Sequence, residues 1–142
     1  MIPPILQAIF ATIVIVCNLT MPPEPWEPEP ADVEYISRTI WGEARGCDEE
    51  QRAAVAWCIL GRVSDDRFPD SIQGVVTQPH QFQGYSPNFP ADTFYDEAKE
   101  IIIRWHNGEW GMDPDMLWFY GDGQINHFRN AWRSADSTKS WP

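Results

Sequence analysis

One carboxylate in this chain stands where a proton donor could be built. It is Glu43, within Ile40-Trp-Gly-Glu-Ala-Arg-Gly46. Ile40 and Trp41 are apolar, and burial against them would disfavour the ionised form and hold a proton near neutral pH. Spacing alone leaves two readings open: a solvated charge near a helix end, the ordinary fate of a Glu, or an acid for proton transfer. Downstream, Gln81, Phe82, Gln83 and Tyr85 sit among Pro79, Gly84, Pro87 and Pro90. So many breakers exclude regular structure over 78–90. A loop dense in amides and rings suits a binding surface, although Phe82 alone also reads as core. His80, His106 and His127 share no metal-ligand spacing, and there is no CxxC pair. Neither a metal nor a cofactor is expected.

The scaffold for these groups reads as α+β and mainly helical. Val33, Ile36, Ile40 and Ala44 recur at helical spacing, which predicts a helix over 32–44 with Asp32 as N-cap and Gly46 as its stop. Glu43 then lies at the edge of the apolar face, near the helix end. Asp48 and Gln51 form a D-x-x-Q capping box for a second helix, and its run Ala53–Leu60 is apolar nearly all round. That helix is expected to be central and to end near Val63. A short helix over 72–76 follows a Phe68-Pro-Asp-Ser71 turn. A further helix is predicted from Asp92, as N-cap, to Asn107, with Asn107-Gly108 as its stop. Met116–Tyr120 and Gln124–Phe128, joined by Gly121-Asp-Gly123, read as a β-hairpin. The polar tail after Trp132 reads as coil.

A chain of 142 residues holds one core. A net charge of -11 excludes a nucleic-acid binder, since phosphate neutralisation needs clustered Lys and Arg. The chain has 8 Trp and 4 Tyr, which serve either as core filler or as platforms for the apolar faces of sugars. Cys17, Cys47 and Cys58 read as free thiols. The last two flank one helix and, at 1.5 Å per residue, stand roughly 16 Å apart. Residues 5–21 are mostly apolar and uncharged, as in a signal sequence or membrane anchor. No Lys or Arg precedes them. Pro22-Pro-Glu-Pro-Trp-Glu-Pro-Glu-Pro30 reads as an extended, solvated spacer. The expected division is an anchor segment at 1–21, a linker at 22–31 and a catalytic domain at 32–142.

Several blocks, in one order, carry a family resemblance. They are Arg38–Gly46, Gln51–Ala56, Ile59–Val63, Arg67-Phe-Pro-Asp70, Gly74-Val-Val, Gln78-Pro79 and Gln81-Phe82. Asp113-Pro114, Phe119-Tyr120 and His127–Asn130 match more loosely. From about 33 to 132 the chain resembles the cell wall hydrolases of the spore cortex-lytic type, which also occur in phage endolysins. The resemblance implies a lysozyme-like helical domain acting on peptidoglycan glycan strands; the apolar stretch 5–21 adds the expectation of an exported or membrane-anchored chain, and a monomer is expected. It makes Glu43 the catalytic acid and Gln81, Phe82, Tyr85, Tyr120 and His127 candidates for substrate contacts. Two positions depart from the family pattern: Gly61 stands where Asn is usual, and Cys47 where Glu is usual.

Most glycosidases need two carboxylates. A lytic transglycosylase manages with one. The protonated Glu gives its proton to the leaving glycosidic oxygen, then takes one from the C6 hydroxyl of N-acetylmuramic acid. That hydroxyl attacks C1 and closes a 1,6-anhydro ring, its tether standing in for a second protein carboxylate. Hydrolysis would require a second acid, for which Asp92 and Asp122 are the loop candidates. The competing expectations are a hydrolytic muramidase, an amidase, or a carbohydrate-binding module without catalysis.

Overall fold

The computed structural model describes residues 3–4 and 22–130, with the backbone of 138–140. The apolar stretch 5–21 lies outside the described residues. No helix among the described residues is long and apolar enough to cross a membrane. Among the described residues, four longer helical elements precede a small sheet: α1 (Pro30–Ala44), α2 (Glu49–Val63), α3 (Ile72–Val76) and α4 (Tyr95–His106), then β1 (Trp118–Gly121), β2 (Asn126–Arg129) and β3 (Thr138–Ser140). The architecture is mainly helical α+β.

Helix α1 starts two residues before the predicted boundary. Pro30 occupies its first turn, where a fixed φ suits the helix and a missing N–H costs nothing. Glu29 is the N-cap residue and accepts the backbone N–H groups of Asp32 and Val33 through its carbonyl. Asp32 is therefore not the cap; it sits inside the first turn, where a carboxylate complements the helix dipole. The helix ends at Ala44 with Arg45 in a right-handed conformation, so Gly46 follows the stop without forming a left-handed cap. Its inward stripe is Val33, Ile36, Ile40 and Ala44, all buried.

Helix α2 is the central element. Asp48 accepts the Gln51 N–H at 2.9 Å, as its cap sequence predicts. Val55, Ala56, Cys58, Ile59 and Leu60 are fully buried. Each large aliphatic side chain so placed contributes roughly 1.5–3 kcal/mol. Cys47 and Cys58 are free, and burial pushes the Cys58 thiol up to about 11. Gly61 permits the 114–117 segment to close on α2. A Cβ there would meet Leu117 Cδ2 at 2.9 Å and the Pro114 carbonyl oxygen at 3.0 Å.

Helix α4 begins at Tyr95 behind Phe94, with no side-chain cap, so Asp92 is not its N-cap. Asp92 instead uses its carbonyl to accept the Tyr95 N–H. Its end is as read: Asn107 is the C-cap and Gly108 adopts φ +77. The linker has no regular structure and is exposed at 22–27 and 29, as expected, but it also meets α4. Trp26 stacks on His106 with centroids 3.7 Å apart, Glu27 pairs with Lys99 at 2.6 Å, and Pro28 is buried. A large ring and a matched charge give this stretch partners along α4.

The hairpin pairs β1 and β2 antiparallel, with Phe119 opposite Phe128, Tyr120 opposite His127 and Gly121 opposite Asn126. Residues 138–140, expected as coil, form a third strand on the open edge of β2. Unpaired backbone groups on such an edge are a ready template for another strand.

Candidate active site

Glu43 sits in the last turn of α1, half-buried. Its Oε1 accepts the Gly84 backbone N–H at 2.8 Å. That donor arrives from a loop 41 residues downstream, and several contacts fasten the loop to α1. Ser37 Oγ donates to the Ala91 carbonyl at 2.7 Å. Arg38 Nε donates to the Phe89 carbonyl at 3.1 Å. Trp41 packs on Phe89 with centroids 4.5 Å apart, and Tyr35 meets Tyr85 at 5.7 Å.

Two glycines make the closest approach. A Cβ on Gly42 would overlap the Gly84 carbonyl oxygen, and a Cβ on Gly84 would stand 2.7 Å from the Glu43 carboxyl carbon. The backbone of the loop therefore touches the backbone of the helix where the acid is held. This is the close-approach use of glycine.

Burial raises the Glu43 pKa above that of an ordinary glutamate, and the Gly84 N–H works against it by stabilising the anion. Burial is the larger effect. The negative end of α1 acts in the same direction, since a helix C-terminus disfavours an anion. Arg45, the nearest basic residue in sequence, turns away. Its guanidinium lies 4.4 Å from the Trp41 ring centroid and donates to the Trp41 carbonyl.

A cavity of about 270 Å³ opens beside this carboxyl. Glu43, Gly46 and Cys47 form one wall. The turn end of the hairpin forms the other, through Gly121 and residues 123–126. The Cys47 wall is braced from behind. Arg52 donates to the Cys47 carbonyl at 2.8 Å, and its guanidinium grips Glu97 at 2.6 Å and 2.9 Å. The hairpin wall is tied to α2 through Gln51 Oε1, which accepts the Asn126 N–H at 2.8 Å.

Glu43 is the single carboxylate among the described residues lining this cavity. Asp122 instead builds the turn. Its Oδ1 accepts the N–H groups of Gln124 and Ile125, and its Oδ2 pairs with His127 Nε2 at 2.7 Å. These bonds hold its carboxyl well below the usual range. Asp92 does not line the cavity either. Among the described residues, no three His, Cys, Asp or Glu come together as a metal site.

The expected substrate contacts are placed elsewhere, and the reasons differ. Gln81 Oε1 accepts from the buried Arg62 at 2.9 Å. Phe82 is core, 5% exposed, between Phe119 and the Arg62 guanidinium. Tyr85 follows Gly84 directly but leans on Tyr35. Tyr120 and His127 stack on each other at 4.9 Å. Side chains alternate faces along a strand. Tyr120 and His127 therefore share the face opposite to Phe119, Phe128, Gly121 and Asn126, and none of the five lines the cavity. Their chain neighbours Gly121 and Asn126 do. Sequence reasoning did not point to Asn126, Gln124, Ile125 or Cys47, which line the cavity. The signal for Asn126 was present: it is two residues from Phe128, on the same apolar side.

The family model described as Cell Wall Hydrolase matches residues 46–140, more than half of the chain. The chain belongs to the cell wall hydrolase family. It is similar to the spore cortex-lytic enzyme of Oceanobacillus iheyensis, 30% identical over 89 residues, or 63% of this chain and 32% of that protein. It is also similar to the Bacillus subtilis spore cortex-lytic enzyme, at 28% over 89 residues, covering 63% of this chain and 29% of the relative. The Halalkalibacterium halodurans enzyme of the same name is 30% identical over 78 residues, 55% of this chain and 24% of its own length. The chain thus spans about a third or less of the length of the curated relatives it matches. No solved structure matches it. In this chain the matched span begins at Gly46, just past Glu43. The cavity and the Gly84 N–H join Glu43 to the matched region.

Proposed function

We propose that this chain cuts peptidoglycan glycan strands as a lytic transglycosylase, with Glu43 serving first as acid and then as base. One observation carries the reading: a half-buried carboxyl, held by a single backbone N–H, is the single carboxylate on the described walls of its cavity. Such a group holds its proton to higher pH than an ordinary glutamate and can deliver it to a leaving glycosidic oxygen. One carboxylate suits a reaction whose nucleophile belongs to the substrate, the C6 hydroxyl of N-acetylmuramic acid. Two-carboxylate hydrolysis would require a partner at roughly 5–9.5 Å. Family membership and the names of the relatives support the substrate class.

The same reading makes the helical unit lysozyme-like in its use of an acid at a helix end. It makes 5–21 a signal or anchor segment that delivers the enzyme to the wall, as an endolysin is delivered.

The test is digestion of purified sacculi with mass analysis of the fragments. Wild-type chain is expected to release anhydro-muropeptides, and Glu43→Gln to lose about 10²–10⁴-fold in rate while still binding the wall. Reducing-end products without the anhydro ring would replace transglycosylation by hydrolysis. Free stem peptides would replace both by an amidase. Unchanged lysis by the variant would remove Glu43 from the chemistry.

A further inference from the structure

We propose that Asn126 is a substrate-binding residue whose side-chain amide donates to the 2-acetamido carbonyl of the hexosamine seated beside Glu43. The proposal rests on the glycan reading of the cavity and adds to it a specific sugar substituent.

Asn126 is 6% exposed, yet it lines the cavity that Glu43 shares. Its Nδ2 is buried without a hydrogen-bond partner. A buried amide donor left unmade costs free energy, so an orphan beside an open cavity calls for an account. The backbone cannot relieve it by shifting, because the Asn126 N–H is fixed by Gln51 Oε1 at 2.8 Å. Only the terminal torsion is soft, and rotation about it can turn the donor toward the cavity without moving the strand. Gly121, opposite in register, leaves room for this: a Cβ there would stand 3.3 Å from Asn126 Oδ1.

The chemistry of the walls selects the acceptor. No described cation lines the cavity to pair with an anionic ligand group, and a neutral oxygen fits an amide N–H. Ile125 and Cys47 add apolar surface around the polar groups. A carbonyl oxygen with a methyl beside it matches that mixture, and the 2-acetamido group of N-acetylated hexosamines supplies both.

The probe is tetra-N-acetylchitotetraose, with cellotetraose as the β-1,4 glucan that carries hydroxyls in place of acetamido groups. Both are titrated calorimetrically into the 142-residue chain carrying Glu43→Gln, with Asn126 intact or replaced. With Asn126 intact, the N-acetylated oligomer is expected to bind more tightly than the glucan. Asn126→Ala is expected to weaken the N-acetylated oligomer about tenfold and leave the glucan unchanged. Asn126→Asp keeps the shape, removes the donor and should show the same selective loss, which keeps the test decisive if the Ala variant fails to fold. Unchanged affinity in a folded variant, or equal losses for both oligomers, overturns the assignment while the glycan reading stands. No binding of either oligomer with Asn126 intact overturns the glycan reading itself, and this assignment with it.

Discussion

The two walls of the cavity are built by opposite means. The helical wall carries Glu43 on a turn of α1 whose inward stripe is fully buried, and a second backbone presses against it through Gly42 and Gly84. The hairpin wall is a four-residue strand pair and a turn held by Asp122, with Gly121, Gly123, Gln124 and Ile125 all exposed. The acid thus stands on the part of the fold with the most packing behind it. Proton transfer tolerates little positional error, and a site on a supported helix is more precise than one on a loop. On the proposed reading, the thinner wall carries groups that need only form hydrogen bonds with a ligand, and those can adjust.

Substitutions can break or sharpen this contrast. The largest effect is expected from Gly42→Ala, whose methyl overlaps the Gly84 carbonyl. The loop must leave α1, which costs about 1–3 kcal/mol, so thermal unfolding should drop and lysis should fall by more than the lost stability explains. Full activity and an unchanged Tm would show that the two backbones need not touch.

Gly84→Ala should act more locally. Its methyl would crowd the Glu43 carboxyl and remove the N–H bond, which favours the ionised form. Loss of that bond raises the pKa further. The alkaline limb of the pH–rate profile should therefore move to higher pH, with a lower maximum. A profile of unchanged position would separate Gly84 from the acid.

A subtler reading comes from stability against pH. Because the folded pKa of Glu43 is raised from 4.5, the folded state holds the proton more tightly than the unfolded chain. Its contribution is present below about 4.5 and is lost as pH rises through the folded pKa. Glu43→Gln should therefore unfold at higher temperature than wild type near pH 7, with the gap closing in acid. A gap that widens in acid reverses the sign and contradicts a desolvated carboxyl.

The smallest effects are expected on the outer face of the hairpin. Tyr120→Ala should leave lysis within about twofold, in the usual range for surface positions away from a site. A large loss would place substrate on the face opposite to Glu43.

These outcomes bear on what the sequence disclosed. Helical periodicity located α1, because a buried stripe must repeat every three or four residues, while a capping box with an apolar run located α2 and a turn signal located α3. The ends were less legible. Pro30 starts α1 through backbone geometry and Phe94 precedes α4 without a cap, while Asp32 and Asp92 each resemble a cap in type only. Glu43 was legible because its apolar flanks and motif are local. The rest of the site was not, because strand registry decides it. Tyr120 and His127 have the chemistry expected of ligand contacts, yet one step along the chain reverses the face. Gln81 shows a different limit: its partner Arg62 is 19 residues away, and nothing in the spacing joins them. The third strand was hidden for the same reason, since its pairing depends on an edge that exists only after β2 has folded.

The amide that tunes Glu43 is borrowed from a segment with no regular structure of its own, so the proton affinity of this acid is a property of loop docking. Heat or mild denaturant that lifts residues 78–91 would detune the acid while α1, α2 and α4 remain assembled. Catalysis should then fade at a lower temperature than helical circular dichroism, which makes turnover the earlier reporter of unfolding.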